Sequence, residues 1–231
     1  MFKGPFSESI IKRAIQKKLV TIEYVNIRDY ALDKYKTVDD HPYGGGAGMI
    51  MRVDVVERAL AKVKSQKSKV KSKVILLDPR GKTLTQKKAL ELSKLEHLVL
   101  LCGHYEGVDE RIRTLVDEEI SIGDYVLTGG EIPAMVIVDS VVRLLPRVLK
   151  KPEATQFESF SPAPSTKPSS LNPKHYALNP ILEYPQYTRP PIWNKKKVPS
   201  VLLSGDHNKI KEWQERMAKK ITRNHRPDLI Q

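Results

Sequence analysis

Residues 73–103 read KVILLDPRGKTLTQKKALELSKLEHLVLLCG. Two short apolar runs, Lys73–Leu77 and His97–Cys102, have the length and composition of buried strands, and each ends at a turn or a glycine. Between them, Gln86–Leu95 has the spacing of an amphipathic helix. A strand, a helix and a second strand in this order predict an α/β layer fold with a mostly parallel sheet.

The same alternation extends over about the first 150 residues. Apolar spacing predicts further helices at Ser7–Leu19, Val53–Val63, Val108–Glu119 and Gly130–Leu149. Extended segments are predicted at Thr21–Ile27 and Glu119–Leu127, and residues 28–52 are predicted to be a long loop rich in Asp, Pro and Gly.

Three of the connecting segments carry residues that could bind a ligand or take part in a reaction. Ligands of parallel α/β folds bind where strands end at their carboxyl side, and these ends hold residues 78–81, 103–107 and 121–130. Each segment contains glycine, so we expect three glycine-bearing loops on one rim. The stretch Ser121–Leu127 also mixes polar and apolar side chains, as the walls of ligand pockets do.

The chain changes character after Leu149. Nine of its sixteen prolines lie between Lys150 and Pro191, which favours a linker or lid. Beyond this region Pro199–Ser204 is predicted to be extended, and Asp206 is predicted to cap a helix that runs through Lys220. We therefore expect three parts: a domain at 1–149, a linker at 150–191 and a basic helical domain at 192–231.

Charge and composition restrict the function. The 231 residues carry a net charge of +13, and the last forty account for +6 of it. An anionic partner fits this excess, and nucleic acid is the commonest one. The single cysteine, the lack of a long apolar span and the lack of a signal-peptide core indicate a cytoplasmic protein.

Individual residues allow more than one interpretation. The glycine run in His41–Gly48 could approach a phosphate or base, or could be a flexible turn; it matches neither a P-loop nor a dinucleotide-binding fingerprint. His104 alone fits a surface residue better than a catalyst. Cys102 lies in an apolar run and favours a packed thiol over a nucleophile. Arg143 lies on the predicted apolar helix and needs a partner, a pocket or a route to water.

Six blocks in order resemble one family, the bacterial-type tRNA (guanine-N1)-methyltransferases, called TrmD. The resemblance runs from about residue 2 to the C-terminus. The blocks are YGGGAGM (43–49), LLDPRG (76–81), LLCGHYEGVDERI (100–112), SIGDYVLTGGEIPAMVIVDSVVRLLPRVL (121–149), YPQYTRP (184–190) and VPSVLLSGDH (198–207).

The resemblance implies a SPOUT-type α/β fold with a deep trefoil knot and a homodimer in which the linker and tail of one subunit complete the site of the other. Sequence patterning alone would not predict a knot, because knots are very rare. Members open with a Leu-Phe-Pro-Glu strand before the first helix, whereas this chain begins at Met1-Phe2. By that comparison the first core strand is expected to be missing.

The resemblance also implies S-adenosyl-L-methionine as cofactor, bound in a bent conformation by the rim loops. Backbone groups of 122–127 would recognise the adenine. The implied cofactor-binding residues are Leu76, Leu77, Asp78, Gly103, Tyr105, Glu106, Ser121, Ile122, Gly123, Asp124, Tyr125, Val126, Leu127, Gly129, Gly130 and Pro133.

Methylation at N1 of guanine requires a base for the N1 proton and a donor for the charge that builds on O6. The arginine of the family matches Arg143. Its aspartate usually lies in a linker motif that here reads QFESF (156–160), so Glu158 takes its place, with Glu183 and Glu106 as lesser candidates. The extra methylene of glutamate can shift the base, although the chemistry is the same.

The implied substrate is the anticodon arm of tRNA, modified at guanine 37, rather than DNA or a membrane. The target guanine must leave the base stack. Tyr43 and Gly44, Gly45 and Gly46 are expected to line its pocket, Arg189 to contact tRNA, and the basic tail to hold the anticodon arm. Mg²⁺ is a further cofactor of this family, and Glu106 is the nearby carboxylate.

Two other functions stay open at this stage. The chain could be a SPOUT methyltransferase for another RNA, such as ribosomal RNA. It could also be a basic RNA-binding module without catalysis, which the glutamate at 158 and the missing strand would suit.

Overall fold

The computed structural model describes residues 1–66, 70–151, 155, 158–162 and 180–230. The chain divides into two compact units, residues 1–150 and 151–231. The first unit contains α1 (Lys3–Phe6), α2 (Ser9–Gln16), β1 (Asp39–Asp40), β2 (Ile50–Met51), α3 (Val53–Gln66), β3 (Ser72–Thr83), α4 (Gln86–Leu92), β4 (His97–Cys102), β5 (Glu118–Ser121) and α5 (Glu131–Val142), with 3₁₀ turns at Ile27–Tyr30 and Glu110–Leu115.

The centre of the first unit is a parallel sheet in the order β4-β3-β5. The expected mixed α/β architecture with a parallel sheet is confirmed. A short antiparallel pair, β1 with β2, precedes α3.

Strand β3 is buried on both faces, which explains its continuous apolar run. Side chains alternate along a strand. Val74 and Leu76 therefore join a cluster with α3, while Ile75 and Leu77 join another with α4 and α5. Burial of each such side chain contributes about 1.5–3 kcal/mol, so this strand anchors both helical layers.

Strand β3 has a register shift at the point where its apolar run ends. Leu77 and Lys82 both align with Ile120 of β5, which leaves residues 78–81 out of register. Gly81 passes so close that a Cβ there would lie 2.5 Å from the backbone nitrogen of Ile120. The predicted turn at 78–81 is thus a bulge loop inside β3, which continues to Thr83, and β5 holds this loop at both ends.

Two predictions for the first unit are wrong. Thr21–Ile27 is not a strand: Ile22 packs into a cluster with α2 and α5, and Tyr24 stacks on Phe2, so side chains hold the segment. Val108–Glu119 is not a long helix, because pairing fixes both of its ends. Residues 108 and 109 pair with the backbone of Met51, and the side chain of Asp117 accepts a hydrogen bond from the Val74 N–H at 2.7 Å.

The helix predicted at Gly130–Leu149 is shorter in the structure. Helix α5 ends at Val142, and turns follow. Pro146 explains this end, because its ring would clash with the carbonyl oxygen of Val142 in a continuing helix. The extended segment Glu119–Leu127 is likewise shorter, since β5 ends at Ser121.

The second unit contains β6 (Ser161–Pro162), β7 (Pro180–Ile181), β8 (Ile192–Trp193), β9 (Lys196–Lys197), α6 (Ser200–Leu203) and α7 (His207–His225), with a 3₁₀ turn at Pro227–Ile230. The prediction of an extended Pro199–Ser204 is wrong, because the apolar residues form one helical turn that ends before Gly205, whose φ is +73°. The cap at Asp206 is confirmed: its carboxylate accepts a hydrogen bond from the Lys209 N–H at 3.2 Å.

Helix α7 is tied to β7 by one buried hydroxyl. Thr222 Oγ1 donates to the carbonyl oxygen of Ala218 and accepts from the Leu182 N–H, both at 2.8 Å.

The linker residues 152–154, 156–157 and 163–179 lie outside the described part of the chain. The predictions for the Pro/Ser-rich insertion, and for most of the QFESF motif before Glu158, concern those residues.

Candidate functional site

The carboxyl ends of β3, β4 and β5 lie at one edge of the sheet, because the three strands are parallel neighbours. The loop before α5 reaches the same edge. The Gly130 N–H donates to the carbonyl oxygen of Gly103 at 2.7 Å, and Gly129 bridges to His104. The structure thus brings the loop after β4 together with the start of α5.

Glycine is required at this junction. A Cβ on Gly130 would lie 2.7 Å from Cys102 Cα and 2.8 Å from the Gly103 nitrogen. A Cβ on Gly129 would lie 2.5 Å from Glu131 Oε2 and 3.0 Å from the His104 ring. A side chain at position 130 would therefore separate the two loops, whereas one at position 129 would displace the Glu131 carboxylate. Pro133 fits the first turn of α5, where its missing N–H costs no helical hydrogen bond.

The loop after β5 folds back on itself. Ser121 Oγ donates to the carbonyl oxygen of Gly123 at 3.0 Å and accepts from the Gly123 N–H at 3.1 Å. Beyond it, Tyr125 and Val126 are exposed, Val126 by 85%. Exposed apolar side chains next to a buried sheet edge are suited to cover an apolar or aromatic ligand.

The glycine run also touches this region. Gly48 has a φ of +82°, and a Cβ there would lie 2.4 Å from Glu106 Cγ. The Glu106 N–H donates to the carbonyl oxygen of Met49, and the Met51 N–H donates to that of Gly107, both at 3.0 Å. The end of the glycine run is therefore fixed against the loop after β4.

Tyr105 is held by residues that the sequence did not indicate. Its hydroxyl accepts a hydrogen bond from Arg28 Nη2 at 3.0 Å. A hydrogen bond to Asp39, together with burial, raises the pKa of Tyr105, and Arg28 opposes this shift. Arg28 and Asp39 belong to the segment predicted to be a plain loop, more than sixty residues before Tyr105. No local pattern could have connected them.

Asp78 belongs to an ion cluster in the first unit. Arg113, whose side chain is 13% exposed, donates to Asp78 Oδ2 at 2.9 Å and to Glu110 Oε2 at 3.0 Å. Arg113 also pairs with Glu119 of β5. The cluster joins the out-of-register loop of β3 to the 3₁₀ turn and to β5, so it positions Asp78.

Glu131 and Cys102 lie at the centre of the junction. Burial, with the negative charge of Glu131 as the smaller cause, raises the pKa of the Cys102 thiol to about 12. The thiol is thus protonated at neutral pH, as the packed-thiol interpretation expects. Glu131 Oε2 is buried without a hydrogen-bond partner. Glu131 follows Gly129 and Gly130 and lies within the stretch 129–133 that the resemblance implies for the cofactor.

The other predicted residues lie elsewhere. Tyr43 is fully exposed, and Gly44 and Gly45 have open space around them with positive φ. Arg143 lies at the end of α5 and is partly buried in the first unit. Glu158, partly buried, and Arg189, exposed, belong to the second unit.

Within the described ranges, no three His, Cys, Asp or Glu residues are arranged to hold a metal ion. No helix among the described residues has the length and apolar character needed to cross a membrane.

Comparison with known proteins agrees with the sequence motifs. Residues 1–231 match the family described as tRNA (Guanine-1)-methyltransferase TrmD. Among similar curated proteins, each named tRNA (guanine-N(1)-)-methyltransferase, are those of Dictyoglomus turgidum (51% identical, all of this chain and 86% of the relative), Ruminiclostridium cellulolyticum (52%, all and 91%) and Bacillus pumilus (51%, all and 87%). A match over the whole chain at this identity means that the protein belongs to the TrmD family of tRNA (guanine-N1)-methyltransferases.

Proposed function

We propose that this protein transfers a methyl group from S-adenosyl-L-methionine to N1 of guanine 37 in tRNA. The full-length match to TrmD enzymes at about 50% identity carries the proposal. The glycine-bearing loops at one sheet edge support it, because a bulky cofactor needs such an open, backbone-lined edge.

The residues at this edge fit the cofactor. The exposed Tyr125 and Val126 and the tight glycines 129 and 130 leave room for an apolar or aromatic ligand beside the sheet edge, and the unpartnered Glu131 oxygen offers a hydrogen-bond acceptor. We propose that the cofactor is held by Leu76–Asp78, Gly103, Tyr105, Glu106, Ser121–Leu127, Gly129, Gly130 and Pro133. When bound, it supplies a methyl group already activated by the sulfonium.

Two side chains would act on the guanine. Guanine N1 carries a proton at neutral pH, and we propose that the Glu158 carboxylate accepts it. We propose that the Arg143 guanidinium stabilises the negative charge that develops on O6. Participation of Mg²⁺ stays a prediction, with Glu106 as the nearby carboxylate.

The tRNA would be held by charge. Helix α7 presents exposed basic side chains, among them Lys211, Lys219, Lys220 and Arg223, while Trp213 faces inward. Such residues bind phosphates and give affinity without sequence preference. We propose that Tyr43, Gly44–Gly46 and Arg189 contact the anticodon loop.

Three properties of the family complete the proposal. We infer a homodimer, a cytoplasmic location and a deep trefoil knot around the cofactor edge.

The test is methyl transfer from labelled cofactor onto tRNA transcripts that differ only at position 37. We expect label on the guanine transcript and none on the adenine one, with the product mapped to N1 by mass spectrometry. Equal labelling of both transcripts would favour another RNA target. Cofactor binding without any transfer would favour a non-catalytic RNA-binding module.

A further inference from the structure

The carboxylate of Glu131 has a buried oxygen that the fold does not satisfy. Oε2 has no hydrogen-bond partner, although it is shielded from solvent. A buried charged oxygen without a donor is unfavourable, and native proteins rarely leave one. A bound ligand could supply the hydrogen-bond donor that Glu131 Oε2 lacks.

Two neighbouring backbone N–H groups are placed for other bonds. The Gly130 N–H donates to Gly103, and the Tyr105 N–H donates to His104 Nδ1 at 3.0 Å. A Cβ at Gly129 would lie 2.5 Å from Glu131 Oε2 and 3.4 Å from His104 Nε2, so both groups border the gap that the glycine leaves.

The charge of Glu131 acts at the same place. It contributes to the raised pKa of Cys102, the last residue of β4, so its field reaches the strand end where the loop after β4 begins. Two adjacent glycines keep this region free of side chains. A cationic donor that binds here would meet the Glu131 carboxylate at low solvent exposure, where ion pairing is stronger than in water.

Given the cofactor of the proposed function, on which this inference rests, we propose that Glu131 accepts a hydrogen bond from the α-ammonium of its methionine part. The cofactor has two cationic groups, the ammonium and the sulfonium. Of these two cationic groups, only the ammonium has N–H donors, and an unsatisfied acceptor requires a donor rather than charge alone. Glu131 is then a binding residue that sets the orientation of the amino-acid end.

Three ligands separate the possible roles of Glu131. S-adenosylmethionine has both cationic groups, S-adenosylhomocysteine keeps only the ammonium, and 5′-methylthioadenosine has neither. Calorimetric titration of the Glu131→Gln variant should show about tenfold to hundredfold weaker binding of the first two, as loss of a charge-assisted hydrogen bond predicts. Binding of 5′-methylthioadenosine should stay within about twofold of wild type.

Two further variants act as controls. Glu57→Gln, on the exposed surface of α3, removes the same charge away from the site and should change none of the three affinities. Glu131→Asp keeps the charge on a shorter side chain and should recover part of the lost affinity. Circular dichroism checks that each variant is folded.

Each other outcome overturns the assignment. Unchanged affinities in Glu131→Gln would mean that the ligand does not contact the carboxylate. Weakening of S-adenosylmethionine alone would place the sulfonium there instead. Equal weakening of all three ligands would mean that Glu131 contacts the adenosine part that they share or has a structural role. If the wild-type protein bound none of the three, the proposed function itself would fail.

Discussion

At the scale of single residues, Cys102 shows how position determines reactivity. Its thiol lies between the sheet and the start of α5, where burial and the charge of Glu131 both disfavour the thiolate. Because the thiolate is the reactive form, a pKa of about 12 leaves a very small reactive fraction at neutral pH.

We expect iodoacetamide to modify Cys102 about a thousandfold more slowly in the folded protein than in the unfolded one at pH 8, where an ordinary thiol is roughly a quarter ionised. Mass spectrometry over time, with and without denaturant, measures both rates. The single cysteine makes the assignment unambiguous. Similar rates in the two states would contradict the raised pKa.

The proposed role of Glu158 as general base can also be tested at a single side chain. Glu158→Gln keeps the size of the side chain but removes its ability to accept the guanine proton. We expect methyl transfer to fall by at least about a hundredfold, the usual contribution of a general base. Calorimetry should show unchanged binding of S-adenosylmethionine.

Glu183 provides the comparison for this variant. Its backbone N–H donates to Ser159 Oγ at 3.1 Å, so its segment lies beside that of Glu158, and its side chain pairs with Gln186. Activity retained in Glu158→Gln but lost in Glu183→Gln would transfer the role to Glu183. Activity retained in both would remove both from catalysis.

At the scale of elements, the junction between β4 and α5 depends on one absent side chain. Gly130 has a φ of −79°, which any residue adopts, so its requirement is steric. Gly130→Ala forces a methyl group against the backbone of Cys102 and Gly103. We expect a loss of about 1–3 kcal/mol in the free energy of unfolding, as overpacking typically costs.

Urea denaturation measures this loss. Gly4→Ala is the matched control, because Gly4 lies in a helix and an added methyl group there would meet no other atom within 4 Å. That variant should keep the stability or raise it slightly, since alanine favours helix. Equal stabilities of Gly130→Ala and wild type would show that the junction can open without cost.

The elements that sequence could predict are those with a strong apolar pattern of their own. β3, β4, α3 and α4 appear close to their expected positions, because each buries a continuous or periodic apolar set. The predictions for Thr21–Ile27 and Val108–Glu119 were wrong because these segments have no such apolar pattern of their own. Pairing and packing with distant residues decide their conformation, and no local spacing records such contacts.

At the scale of the whole molecule, the sequence predicted which loops meet at the sheet edge but not the polar contacts that hold them in place. Parallel order alone placed the loops after β3, β4 and β5 together. Arg28 and Asp39 reach Tyr105 from far along the chain, and Arg113 holds Asp78 through a turn that was predicted to be a helix. Long-range polar contacts of this kind depend on the completed fold, so residue patterns do not reveal them.

The register shift in β3 has a consequence for binding. Residues 78–81 leave the ladder, but β5 holds the strand on both sides of them and Arg113 fixes Asp78. A loop restrained in this way has already lost most of its conformational entropy when the protein folds. A ligand that meets it has little ordering cost to overcome, and this preorganisation raises affinity without adding a single contact.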